Sequence, residues 1–201
     1  MKPFADFEIP ERMAHLPKDE RGLPIPYTVW VDTDGKAHFS INDSTKQLEC
    51  GVHDLCGLCG FRNDEMRWFI GGPISAFHRH GSYIDGPMHD ECLHFALKVC
   101  PYLALRNYNG RIDDRNVDPN KMGQTTHFVD PTVIPERPEV FVAVCTERSG
   151  QESHYIREEG SVGVRYRVKA GAKVEFWKHG EMLDNEEGEK IAKRGLKKHG
   201  R

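Results

Sequence analysis

The sequence lacks several features that would assign it to a familiar class of protein. Its 201 residues contain no apolar run near the roughly 18 residues that a membrane-spanning helix needs. The first ten residues include Asp6 and Glu8 and have no apolar segment, so they do not make a signal peptide. The net charge of -3 gives no global positive field toward nucleic acid or anionic lipid. We therefore expect a cytoplasmic protein without membrane contact, in which thiols stay reduced.

Several catalytic signatures are also missing. The chain has no Walker loop, no G-x-S-x-G motif, no dinucleotide-binding glycine fingerprint and no internal repeat. Its hydrophobic fraction of 38% is low and its charged fraction is 29%. Together with 19 glycines and 12 prolines, this composition predicts a modest core and a large proportion of loop. A chain of this length is expected to form one domain or two small ones.

The chain does contain cysteine and histidine residues at metal-ligand spacing. Cys56 and Cys59 form a C-x-x-C pair in a glycine-rich turn, and His89 and Cys92 stand three residues apart where a helical pattern begins. Two thiolates can bind one ion when glycine lets the turn reverse, and positions i and i+3 share a helix face. We interpret these four residues as the ligands of one structural Zn²⁺, which leaves no open coordination position.

Other cysteines and histidines leave alternatives open. Cys50 and Cys100 could each replace one of the four ligands, although we favour burial as small apolar side chains. His78 and His80 lie between the two ligand pairs, and His94 follows the last ligand by two residues. A second, catalytic metal could be imagined there, but solvated histidines are the interpretation we favour.

Three enzyme classes use similar residues. Zinc deaminases contain the H-x-E seen in His89 and Glu91, but they place P-C-x-x-C after it, whereas here C-x-x-C comes first. A thioredoxin-type C-x-x-C begins a helix, and Gly60 with the strand after it argues against one. An HNH-type nuclease would use His78, His80 and His89, which would leave the zinc site one ligand short. We keep a metal-dependent enzyme acting on nucleic acid or nucleotides as the alternative function.

Hydrophobic periodicity predicts an α+β fold. The pattern indicates hairpins over residues 27–41 and 163–177, strands over 67–70 and 140–145, and helices over 45–53, 89–100 and 185–198. If the segment 68–84 formed a further hairpin, the C-x-x-C turn, that hairpin and the helix after it would make a treble clef. The predicted architecture is a treble-clef-like zinc module plus a small antiparallel sheet and a C-terminal helix.

A long segment without periodicity divides the chain. Residues 1–104 are predicted to hold an N-terminal arm, a hairpin and the zinc module, and residues 139–201 an antiparallel β lobe with a terminal helix. The segment between them, 105–138, is rich in Asn, Asp and Pro. A loop of this length is uncommon in a compact domain, so it is either a functional loop or a linker.

Basic residues suggest one possible class of partner. The C-terminal segment from Lys190 to Arg201 carries six Lys and Arg residues and no acid, which is typical of a solvated helix end. Arg62, Arg67 and Arg79 could line the zinc module. Nucleic acid would bind only if these patches converged on one face. Because the chain is slightly acidic overall, we expect a protein partner in preference to nucleic acid.

A family resemblance extends over most of the chain. The shared motifs, which include the C-x-x-C-G and P-x-H-x-x-C sequences, lie at residues 12–27, 55–60, 69–73, 87–92, 100–103 and 174–180. They resemble a family of hypothetical proteins from bacteriophages, prophages and actinomycete genomes. The resemblance implies one unit with a zinc site and suggests a phage accessory protein that acts in the bacterial cytoplasm. It implies no catalytic residues, and residues 75–85 depart from the family pattern. The function we predict is that of a binding module without catalytic activity that engages a host macromolecule, in preference a host protein, in host takeover or in interference with host defence.

Overall fold

The computed structural model describes residues 7–106, 137–158, 161–169, 171 and 173–199. These residues form helices and small antiparallel sheets, so the protein is α+β as predicted. The helices are α1 (Ser44–His53), α2 (Pro73–Phe77), α3 (Asp90–Val99), α4 (Pro101–Ala104) and α5 (Asn185–His199). The strands are β1 (Val29–Val31), β2 (Ala37–Asn42), β3 (Met66–Gly71), β4 (Phe141–Glu147), β5 (Gln151–Glu158), β6 (Ser161–Val168), β7 (Lys173–Lys178) and β8 (Glu181–Met182).

The largest sheet is covered on both faces around its strand β4. The sheet has the antiparallel order β3-β4-β7-β8. Successive side chains of a strand point to opposite faces. Ala143 therefore packs into the core that contains Leu93 of α3, whereas Val142 packs into the core that contains Ile191 of α5. This two-sided burial explains why β4, predicted as a strand over residues 140–145, is a continuous apolar run.

The hairpin predicted over residues 163–177 is wrong. Strand β6 pairs with β5, with Val164 opposite Tyr155, and β7 pairs with β4, with Phe176 opposite Val142. The prediction missed β5 because its sequence is mostly polar and shows no apolar alternation. Without β5, the two alternating segments on either side of a glycine turn were left with only each other as partners.

The hairpin predicted over residues 68–84 is also not formed. Strand β3 pairs with β4, and the chain then enters α2 with Pro73 in its first turn. Proline has no N–H to lose at that position, and its fixed φ suits a helix start. Trp68 instead exchanges two backbone hydrogen bonds of 2.9 Å with Met88. The treble-clef description therefore stays a prediction.

Both predicted parts of the chain contribute to the same sheet and the same core. Strand β3 comes from the first part and β4 from the second, and Met13 and Trp177 belong to one apolar cluster. The long segment predicted over 105–138 lies, from residue 107 to residue 136, outside the described residues. The division into 1–104 and 139–201 stays a prediction.

Helix ends follow the capping signals in the sequence. Asp43 caps α1 by accepting hydrogen bonds from the backbone N–H groups of Thr45 and Lys46. Asp184 does the same before α5 for the N–H of Glu187, at 2.9 Å. Among the described residues, none of the helices has the length and apolar composition that crossing a membrane requires.

Candidate metal centre

The four residues predicted as metal ligands come together in the core. Cys56, Cys59, His89 and Cys92 are each 0% exposed, and one ligand atom from each lies within 4.8 Å of the others. We call this set the Cys₃His cluster. Its donors are compatible with a metal site, because three sulfurs and one imidazole are a common donor set in proteins.

Glycine shapes the turn that carries the first two ligands. The N–H of Cys56 donates to the carbonyl of Phe61 at 2.7 Å, and the N–H of Gly60 donates to that of Cys56 at 2.8 Å. Gly60 has φ +77°, and a Cβ there would lie 2.8 Å from the ring of Tyr27. Backbone conformation and space both select glycine, so the turn depends on the C-x-x-C-G spacing.

Helix α3 presents the other two ligands. His89 is its N-cap residue, with extended φ and ψ of -67° and 156°, and Cys92 lies in its first turn. The Nδ1 atom of His89 lies 3.3 Å from the Sγ of Cys59 and 3.8 Å from the Sγ of Cys92. Tetrahedral zinc, with bonds of about 2.3 Å to sulfur and about 2.0 Å to nitrogen, would separate such atoms by about 3.6 Å. The spacing therefore fits one tetrahedral ion.

A hydrogen bond orients the histidine ring. The Nε2–H of His89 donates to the backbone carbonyl of Arg62 at 2.9 Å. With this proton held on Nε2, loss of the other ring proton leaves the lone pair on Nδ1, the atom that faces the sulfurs. Arg62 lies two residues after the C-x-x-C-G turn, so this bond also connects the end of the turn to the start of α3.

The ligands compete for protons when no cation is present. The pKa of Cys92 is raised, chiefly by hydrogen bonding with Cys56 and Cys59 and further by burial. Burial disfavours the thiolate of Cys56, but hydrogen bonds within the cluster outweigh it and hold the pKa of Cys56 below its ordinary value. Burial lowers the pKa of His89, but its hydrogen bonds with Cys56 and Cys59 raise it to about 10. A divalent cation would displace these protons.

The two alternative cysteine ligands are not in the cluster. Cys50 lies in α1 and is 2% exposed, and burial raises the pKa of its thiol to about 12. Cys100 is the residue at which α3 ends. His78 and His80 follow α2, with ring centroids 5.7 Å apart, and they do not belong to the cluster either.

One arginine proposed for nucleic acid contact is not on the surface. Arg67 is 1% exposed and forms an ion pair of 2.5 Å with Asp54, so its prediction as a surface contact is wrong. Alternation in a short strand does not show which face another strand or loop will cover. Arg62 and Arg79 are exposed.

A second polar cluster was missed by the sequence analysis. His94, expected to be solvated, lies between two tryptophans, with ring centroids 5.3 Å from Trp68 and 5.6 Å from Trp177. Its Nε2 is 2.9 Å from Oε2 of Glu175, which also accepts a hydrogen bond from Trp177, and Lys173 pairs with Oε1 of the same carboxylate. The only signal in the sequence was a glutamate within an apolar strand, two residues before a tryptophan.

We expect Glu175→Gln to lower the free energy of unfolding by about 2 kcal/mol at neutral pH, since a buried carboxylate with charged donors is lost. Burial raises the pKa of Glu175, but hydrogen bonds from Lys173, His94 and Trp177 outweigh it, so this pKa lies below its ordinary value. The contribution is therefore present above the unfolded-state value of about 4.3 and disappears as pH falls through the folded-state value. Urea unfolding of both proteins from pH 7 to pH 3 measures this difference.

Glu65→Gln is the matched control, because Glu65 is exposed and its side chain has no ion pair among the described residues. We expect it to change the unfolding free energy by less than about 0.5 kcal/mol at every pH. Any loss of metal in acid affects the wild type and both variants alike, so its contribution cancels when their unfolding free energies are compared. A Glu175→Gln effect that stays constant down to pH 3 would contradict the carboxylate's role.

Comparison with known proteins places the chain in no family. No family model, no curated protein and no solved structure gave a match.

Proposed function

We propose that the chain is a zinc-stabilised binding module and not a zinc enzyme. The observation that supports this is the closed donor set: all four candidate ligands of the Cys₃His cluster are buried, their donor atoms lie within 4.8 Å of one another, and four donors are the number that a tetrahedral structural zinc uses. A catalytic zinc keeps a position open for water or substrate, and these donors leave none. His89 acts here as a ligand, which removes it from the part it would have in an HNH-type nuclease.

Zinc content tests the metal part of the proposal. We expect one zinc per chain by elemental analysis, because three thiolates and an imidazole select zinc over harder cations. Chelation should abolish the cooperative unfolding transition, and added Zn²⁺ should restore it with release of protons. A chain that is fully folded without metal, or that binds two ions, would contradict a single structural zinc.

The partner we propose is a host macromolecule, with protein preferred over nucleic acid. The support is the resemblance to phage and prophage proteins together with the slightly acidic net charge of -3. Affinity capture from bacterial cells should yield a protein that rebinds the purified, zinc-loaded chain at a fixed stoichiometry. The chelated chain is the control, since it keeps the sequence and loses the fold.

The alternative function, a metal-dependent enzyme, can be tested with the same purified, zinc-loaded protein. Metal-dependent cleavage of nucleic acid or nucleotides that is lost in His78→Ala or His80→Ala, without loss of folding or zinc, would replace the binding proposal. Both residues follow α2, outside the Cys₃His cluster, so these substitutions leave the four ligands in place. We expect no such activity.

A further inference from the structure

A cavity lies at the junction of three segments, apart from the Cys₃His cluster. The cavity has a volume of about 270 Å³. Its lining includes Arg106, which follows α4, and Arg137 and Glu139, which precede β4. Lys178, the last residue of β7, and His179, in the turn to β8, line it as well. Ligand pockets typically measure about 300–1,000 Å³. This cavity is therefore suited to a small ligand or to one chemical group of a larger ligand.

The side chain of Arg137 is held in place by hydrogen bonds and by two aromatic rings. Its Nη1 and Nη2 atoms donate to the backbone carbonyls of Leu105 at 2.5 Å and Leu103 at 3.1 Å. Its guanidinium also lies within 6 Å of the ring centroids of Tyr102 and Phe141. These contacts fix the side chain, yet its Nε–H is buried and has no acceptor among the described residues. A buried, unsatisfied donor is costly unless a ligand accepts from it.

His179 also has a buried ring nitrogen, Nδ1, without a hydrogen-bond partner among the described residues. Its φ of +55° and that of Gly180, +80°, are those of a two-residue hairpin turn between β7 and β8, which fixes the position of the His179 backbone. Burial lowers the pKa of His179, and the neighbouring cations Arg137, Arg106 and Lys178 lower it further. The imidazole is therefore neutral at pH 7 and can donate from one nitrogen.

The charge around the cavity is unbalanced. Arg106, Arg137 and Lys178 line it, and Glu139 is the one carboxylate among the described residues that does so. Glu139 is itself neutralised, by Lys178 at 3.1 Å and by Arg194 of α5 at 3.2 Å. No described side chain pairs with the guanidinium of Arg106. The cavity thus combines an excess of positive charge with two buried nitrogen atoms, Arg137 Nε and His179 Nδ1, that have no hydrogen-bond partner among the described residues.

We infer that this cavity binds the phosphoryl group of a small phosphorylated ligand. Arginine, lysine and imidazole N–H groups are the donors that recognise phosphate oxygens, and a phosphoryl group offers acceptors in several directions at once. Inorganic phosphate and the phosphate of a mononucleotide share this chemistry. The site adds a ligand class to the proposed binding module and is independent of its zinc.

Calorimetric titration of the zinc-loaded, full-length protein tests the site, with inorganic phosphate and 5′-AMP as separate probes at 0.15 M NaCl. Lys178→Ala and Arg106→Ala should each weaken binding at least about tenfold, because each removes a charge-assisted contact. Lys36→Ala is the matched control, since Lys36 is an exposed lysine in the β1–β2 turn, and it should bind as the wild type does. Zinc content should be the same in all variants, which separates failure of this site from failure of the metal proposal.

A second measurement reports on the unsatisfied donor directly. The Arg137 Nε–H resonance, assigned by comparison with Arg137→Lys, should move downfield when phosphate is added. Binding of 5′-AMP alone would assign the site to nucleotides, and binding of both probes would assign it to the phosphoryl group. If neither probe binds, or if all variants bind equally well, the inference is overturned.

Discussion

Cys92→Ala is expected to abolish both metal binding and the cooperative fold. Cys92 is fully buried in the first turn of α3, and the same helix packs Leu93 into the core beside β4. Structural zinc contributes about 10–16 kcal/mol in small zinc-binding peptides. The whole stability of a typical domain is about 5–15 kcal/mol. Loss of even half of the metal's contribution would therefore leave the variant largely unfolded at 25 °C.

Cys50→Ala is the matched control for this experiment. Cys50 is a cysteine of nearly equal burial, 2% exposed, that lies outside the Cys₃His cluster. We expect it to keep one zinc per chain and to lose only about 1 kcal/mol of unfolding free energy, as buried truncations of this size do. Elemental analysis and thermal unfolding measure the two effects. A folded, metal-free Cys92→Ala protein would show that the cluster is a buried thiol group with no structural metal.

The Cys₃His cluster was predictable from sequence because its constraints are local. The glycines around Cys56 and Cys59 set the turn, and the spacing of His89 and Cys92 matches a first helical turn. The fold has only to bring the two pairs together. The capping residues Asp43 and Asp184 were predictable for the same reason, since each acts on a backbone N–H within three residues.

Strand pairing was not predictable, because it depends on contacts between distant segments. β3 and β7 both pair with β4, and each lies more than 25 residues from it along the chain. The two-stranded sheet of β5 and β6 lies between β4 and β7 in the sequence. The polar sequence of β5 gave no period-2 signal, so its pairing with β6 was missed. Burial of Arg67 and of Glu175 is also non-local in part. Arg67 pairs with Asp54 at the end of α1, and Glu175 pairs with His94 of α3, so each contact depends on the tertiary fold.

Apart from substitutions of the four candidate metal ligands, Asp54→Asn is expected to cause the largest loss of unfolding free energy. This residue ends α1 in a left-handed conformation, with φ 57°, and its carboxylate pairs with the buried guanidinium of Arg67. Arg67 completes its hydrogen bonds with the carbonyls of Asp64 and Glu65, so Asp54 is its main source of negative charge. Asp54→Asn keeps the shape and tolerates positive φ, but it leaves a buried cation without a counter-charge. We expect a loss of about 3 kcal/mol in unfolding free energy.

Asp64→Asn isolates the role of burial in that prediction. Asp64 also pairs with an arginine, Arg12, at 2.8 Å, but its side chain is 55% exposed whereas that of Asp54 is 13% exposed. An exposed pair contributes about 0–1 kcal/mol, because water screens the charges. Guanidinium chloride unfolding should therefore separate the two variants by about 2 kcal/mol or more, with zinc bound in both. Equal losses would mean that the Asp54–Arg67 pair is no stronger than a surface ion pair, and that β3 is held by its backbone pairing and apolar contacts alone.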